Sequence, residues 1–378
     1  MSRLLTLIWC CLLLAGMFGC GGGPVVWTSP IDCGGDEVGA ALADNGTALV
    51  ALGTKTLAET DKSTWLLQAL TPDGRQTWRQ EYREGEQNVA GDIVLGPAGE
   101  AFCCGRVRLK GEDLCVVAKY RVDGSLAWQR ALAVGEGAGG SGIAPVEDGV
   151  VVCGFARAED RQELLVARLD RDGATTWSKN YRFGALAGGE RVATDGRGNA
   201  VVVGRSGTAE NPDIVLAKFD SKGDTLWTRV YDSGGEDRPG DVAVDVFGNV
   251  VATGTALVEG APVCVILEYH PDGELIRKTA YGEGVRAEGR AIAASADGDL
   301  YVGATLHGTE QVSALAFHYQ PNAGTIWERT WRCAGDTRAA DLVAGEDVFL
   351  LTTVERADGT HDMTAVRLRK PQSVNQGR

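Results

Sequence analysis

Histidine is scarce in this chain. There are four in 378 residues, His270, His307, His318 and His361. None stands beside a recognisable nucleophile and carboxylate, so a hydrolytic Ser–His–Asp arrangement has no support. No cysteines fall at C-x₂-C spacing, which removes the usual zinc signatures. No glycine-rich loop follows a strand and opens a helix, which removes a phosphate loop. Positive charge is also short. The 37 Lys and Arg face 51 Asp and Glu, for a formal charge of −14. Such a surface repels phosphate backbones and excludes nucleic acid as a partner. Beyond the first twenty residues no apolar run approaches the roughly 18 residues of a membrane span.

Apolar material is plentiful, at 44% of residues, and so is glycine, at 52. The first implies a sizeable core and the second many tight turns. Residues 1–19 begin with a single basic residue, Arg3, and continue apolar from Leu4 to Phe18, the length of a secretory signal. Gly19-Cys20-Gly21-Gly22-Gly23 follows. This resembles a bacterial lipoprotein signal, in which the cysteine is lipidated and becomes the new N-terminus. Met17 and Phe18 depart from the usual leucine and small residue, and an ordinary secretory signal is the alternative. The resemblance implies a lipid on Cys20, a flexible tether over 20–24, and export to the cell envelope. Gly21 in place of aspartate points to an outer-membrane lipoprotein, the periplasm or cell surface being the other destinations.

Periodicity is the main signal. Tryptophans stand at 27, 78, 128, 177 and 227, spaced 51, 50, 49 and 50, and Trp327 follows two periods later, with Ile276 near the skipped register. A second ladder is Gly74, Gly124, Gly173, Gly223, Gly273 and Gly324. A third is Gly53, Gly105, Gly154, Gly204, Gly254 and Gly303. One copy shows the local logic. Asp241-Val-Ala-Val-Asp245 alternates as a half-buried strand does. Phe247-Gly248-Asn249 suits a hairpin turn. Strands follow at 249–254 and 263–267, then the turn Pro271-Asp272-Gly273 and a fourth strand over 275–281. Four short strands in fifty residues make one propeller blade.

The chain enters at Val25-Val26-Trp27-Thr28 like a fourth strand and leaves after His361–Leu368 like a third. Residues 25–30 therefore complete the last blade. The fold expected is all-β, a seven-bladed β-propeller of four-stranded blades over 25–370, with 371–378 a tail. An open solenoid would need polar capping repeats, which neither end has. The unit D-x-x-G-x-x-x-W, as in Asp170, Gly173 and Trp177, resembles bacterial SBBP-type propeller repeats and, more distantly, those of quinoproteins. The resemblance implies the fold and is nearly silent on function, because propellers host enzymes, scaffolds and binding proteins alike.

The repeated tryptophans read as packing anchors between blades. Seven cysteines remain after Cys10, Cys11 and Cys20, an odd number, and most lie on apolar strands as small hydrophobes. Cys33 and Cys333 share one repeat position, and a disulfide there would staple the closure; the distance between equivalent points of neighbouring blades stands against it. Adjacent Cys103 and Cys104 would point to opposite faces of one strand. Asp36, Glu236 and Asp336 lie nine residues beyond their tryptophans. With Glu37 and Asp237 they form a candidate face for a ligand or a cation such as Ca²⁺ at one channel mouth. Gln87, Gly137, Leu186 and Val285 fill that offset elsewhere. A solvated acidic rim is the alternative. No other cofactor is expected. The reading is a monomeric, non-enzymatic binding module, taking a protein or small ligand on one disc face and touching the membrane only through its lipid. An envelope-assembly scaffold and an enzyme using the channel mouth are the alternatives. If Cys20 carries the lipid, Cys20→Ser moves the protein from the membrane fraction to the soluble one. An unchanged distribution, with no acyl label on the wild type, refutes the anchor.

Overall fold

The computed structural model describes residues 25–370, apart from 58, 59, 61, 133, 160, 209, 282 and 283. The expected signal, Cys20, the tether and the tail lie outside the described residues. Each repeat folds into one antiparallel sheet whose four strands stand side by side in chain order. Blades 1 to 6 span residues 36–82, 87–132, 138–181, 188–231, 237–280 and 287–331. Blade 7 takes three strands from 337–368, and its fourth is Val25–Ile31, paired antiparallel with His361–Leu368. Thr28 faces Val366 and Ile31 faces Met363. The ring is thus closed between its two ends, as the entry and exit registers imply, and the open solenoid is excluded.

A blade buries neither face alone, and the core is accordingly divided into seven clusters, one per junction. Leu67, Trp65, Ile93 and Cys103 fill the junction of blades 1 and 2. Cys104, Val117, Val152 and Leu165 fill the next. Cys103 and Cys104 do face opposite ways. Ile31, Leu49, Leu351 and Met363 form the cluster between blades 7 and 1.

Two of the sequence ladders are the two halves of one contact. The indole N–H of Trp27 donates to Pro72 O at 3.0 Å, and those of Trp78, Trp128, Trp177 and Trp227 donate to Val122, Arg171, Ser221 and Pro271 in the same way. Each acceptor lies in the turn before the outer strand of the next blade. The indole ring rests on that turn's glycine so closely that a Cβ on Gly124 would stand 2.7 Å from Trp78. The exception supports the rule. The pairing Glu268↔Arg277 puts Arg277, not Ile276, at the tryptophan position of blade 5. Arg277 bonds Asn322 instead, and Gly324 of the next blade has open space around it.

The connections between blades and the turns from second to third strand lie on one side of the disc, the loop face. The turns from first to second and from third to outer strand lie on the other, the turn face. Deleting residues 25–30 leaves blade 7 with an unpaired edge and an open cluster. The melting temperature should fall by on the order of 10 °C, the equivalent of several kcal/mol, with aggregation. Melting like the wild type would refute this closure.

Candidate functional site

All seven inner strands carry a β-bulge at the same place, between Gly39 and Ala41 in blade 1 and between Pro239 and Asp241 in blade 5, for example. A bulge re-aims the side chain that follows it. In ring order these residues are Ala41, Asp92, Gly142, Arg191, Asp241, Ala291 and Asp341. The three aspartates act alike. Asp92 accepts the N–H of Ile93 at 2.8 Å and of Ile143 in the next blade at 3.0 Å. Asp241 accepts Val242 and Ile292. Asp341 accepts Leu342 and, across the ring closure, Leu42, both at 2.7 Å. Three carboxylates thereby take six of the seven equivalent backbone N–H groups. The seventh belongs to Val192, next to Arg191.

The Arg191 guanidinium donates to Ser141 O in blade 3 at 3.1 Å and to Ala40 O in blade 1 at 3.0 Å. Reaching from blade 4 to blade 1, it spans the middle of the ring. Burial works against its charge, but Asp92, Asp341, Asp241 and Glu190 outweigh burial and hold it protonated. Burial raises the pKa of all three aspartates. For Asp341 the neighbouring Asp241 adds to the rise and Arg191 opposes it. Each of these six oxygens accepts a backbone N–H, so the cluster clamps neighbouring blades together.

The sequence reading placed its acids at the channel mouth. The structure distributes them over three blade junctions on the loop face. Asp36 accepts the backbone N–H of His361 at 2.7 Å and lies 2.9 Å from its Nδ1. Glu236 pairs with Arg238, and Asp336 accepts the N–H of Val312. At the offset read as Val285 the aligned inner strands place Arg286, one residue before the strand start at Ala287. Glu37 and Asp237 are both fully buried, each turned into its own junction. Glu37 joins Asp32 and Asp362, and Asp237 joins Asp213 and Asp232; in each group one carboxylate oxygen from each residue lies within 4.8 Å of the other two. The two groups occupy the same repeat positions three blades apart.

Their neutralisation differs. At the closure, Arg356 bonds Asp362 through two nitrogens and stands 3.0 Å from Asp32 and 3.8 Å from Glu37. Neither Glu37 oxygen has a hydrogen-bond partner, and burial raises its pKa, with Asp362 and Asp32 adding to the effect. In the second group Asp237 accepts the N–H and hydroxyl of Ser233 at 2.7 and 2.6 Å. Asp213 Oδ1 is buried without a partner. Among the described residues no Lys or Arg forms an ion pair with these three acids. Burial, then mutual repulsion, raises the pKa of Asp213. A groove of about 560 Å³ opens on the same face between blades 6 and 7, lined by Gln311, Ser313, Arg332 and Asp336 among others. Cys33 and Cys333 are both free thiols. The staple is not made, because the two belong to different junctions: Cys33 O is bonded by Lys55 and Cys333 O by Gln311.

No protein-family model matches the chain, and no curated protein matches it. Solved structures do. A Dyadobacter fermentans protein of unknown function is similar at TM-score 0.56 and 12% identity, over 92% of this chain and 99% of that one. The β-propeller domain of the trilobed protease from Pyrococcus furiosus, described as having an open velcro topology, gives 0.53 at 11%, over 91% and 99%. Puromycin hydrolase gives 0.58 at 15%, over 91% of this chain and 55% of that one. Identities this low establish the fold, a seven-bladed propeller here, and nothing of the activity.

Arg191→Met leaves three carboxylates facing one another and should cost about 3–5 kcal/mol at neutral pH. The aspartates have folded pKa values above the unfolded value, so folding takes up protons. That contribution is fully present below the unfolded pKa and is lost as pH rises through the folded values. The variant should therefore recover towards acid pH, read as melting temperature against pH. Equal loss at every pH would mean that Arg191 acts by packing alone.

Proposed function

We propose that this protein is an exported, lipid-anchored propeller of SBBP-type repeats that serves as a binding module, taking a protein or small ligand on its loop face. One observation supports this reading above others. The middle of the ring is spanned by Arg191, while the groove opens on the loop face and each carboxylate group has one exposed member there, Asp32 and Asp232. An envelope-assembly scaffold would use the same face. A catalytic role at the channel mouth has against it that the channel carboxylates are committed to backbone N–H groups. We assign Ca²⁺ to the group of Asp213, Asp232 and Asp237. These are hard oxygen donors, and calcium–oxygen distances of about 2.3–2.6 Å put ligand oxygens up to roughly 5 Å apart.

Calorimetric titration and thermal melting test the assignment. Millimolar Ca²⁺ should release or absorb heat and raise the melting temperature by a few degrees. The double variant Asp213→Asn, Asp232→Asn should lose both effects, and Glu37→Gln should keep them, since Arg356 supplies the counter-charge at its site. No heat and no shift in the wild type rejects the cation and leaves a basic protein partner as the ligand class.

A further inference from the structure

We infer that the turn face is the membrane side of the disc, seated on a zwitterionic lipid surface through Phe247, Val246 and Val122. This rests on the proposed lipid at Cys20. The first argument is topological. The outer strand of blade 7 starts with Val25 opposite Leu368 and ends with Ile31 opposite Met363. His361, at the other end of that third strand, faces Glu355 beside the second-to-third turn on the loop face. Val25 therefore lies at the turn-face rim, and the chain enters the fold there. Five residue steps separate Cys20 from Val25, at most about 17 Å of extended chain. So short a lead keeps that rim near the headgroups and makes every further contact of the face intramolecular, at high effective concentration.

The second argument is what the face presents. Phe247 is 78% exposed, Val122 62% and Val246 55%. Phe247 is the most exposed large apolar side chain among the described residues. It is fixed at a turn tip, because Asp245 Oδ1 accepts the N–H of both Phe247 and Asn249, at 2.9 and 2.8 Å. These residues sit on blades 5 and 2, and Val25 on blade 7. Three points spread round a ring define a plane, so the disc lies flat instead of standing on its rim. Aromatic and aliphatic tips suit the headgroup boundary.

Charge selects the lipid. Asp73 and Asp123 occupy one position of successive turns on this face. Hydrogen bonds from Thr71 and Ser125 lower their pKa values and keep them ionised. Arg75 and Arg121 balance these two acids within their own turns, but Asp245, Asp272, Asp297 and Asp299 on other turns of this face keep it net negative, which repels anionic headgroups and leaves a zwitterionic surface.

The test uses the acylated full-length protein in phosphatidylcholine vesicles doped with a headgroup nitroxide quencher. A fluorophore is carried on Phe247→Cys or Asp73→Cys on the turn face, or on Asp358→Cys on the loop face, in a Cys33→Ser, Cys333→Ser background. Quenching at 247 and 73 should exceed that at 358 at least three-fold, and anionic lipid should reduce it. Equal quenching at all three positions, or more at 358, overturns the inference while acyl label on Cys20 keeps the anchor. Absence of acyl label overturns the anchor and the inference together.

Discussion

A four-stranded blade has two apolar faces and can cover neither. That constraint governs the molecule. Each of the seven core clusters is shared by two blades, so no blade can be stable without both neighbours, and the last must meet the first. The contact between neighbours is made at three radii. Near the outer edge, at five junctions, an indole lies on the next blade's turn glycine and donates to the carbonyl two residues before it. In the middle, aliphatic side chains interdigitate. At the axis, bulged aspartates of three blades bond the backbone of their own blade and the next. The closure between blades 7 and 1 uses all three: Trp27 on Gly74, the cluster of Ile31, Leu351 and Met363, and Asp341 bonded to Leu42. A junction between chain ends is thus built like a junction between consecutive repeats.

The outer two layers were legible in the sequence because they obey simple periods. Tryptophan and turn glycine recur at a fixed spacing, and strands alternate with a period of two. Those signals yielded the blade count, the strand order and the composite last blade. The axial layer was hidden for a physical reason. Asp241-Val-Ala-Val-Asp245 reads as plain alternation, which assigns Asp241 to a solvated face. The bulge after Pro239 adds a residue to the strand and turns Asp241 into the junction instead. The clue was present. Asp92, Arg191, Asp241 and Asp341 each lie fourteen residues beyond a tryptophan, but without knowledge of the bulge nothing marked that offset as axial.

The acidic loops were half legible. Their shared offset marks Asp36, Glu236 and Asp336 as equivalent positions of the repeat. It could not foresee that each finds its own partner, nor that the next residue matters more. Glu37 and Asp237 point inward, and their companions Asp362 and Asp213 come from third strands more than a hundred residues distant, or more than twenty, in the chain. Only the folded register brings them together. The blade 5 copy misled by one position for a related reason. The loss of its tryptophan to Arg277 removed the landmark from which offsets are counted.

The two carboxylate groups show how a repeat protein differentiates without changing its scaffold. Both occupy the same three positions, so backbone geometry cannot distinguish them. They differ in their neighbours: Arg356, on the second-to-third turn, stands at the closure, whereas in the other group Ser233 donates its N–H and hydroxyl to Asp237. Where the guanidinium is present, the acids are held by an internal ion pair that ties the N-terminal strand's loop to the last third strand, a mechanical role suited to the closure. Where it is absent, three acids share a junction with raised pKa values for Asp213 and Asp237, and Lys278 lowers that of Asp237 only in part, without forming an ion pair. Desolvation and repulsion then act together against the charged form, and the junction gains most from a positive charge arriving from outside. The repeat therefore supplies the group of carboxylates twice, and at the closure Arg356 commits it to holding the ring.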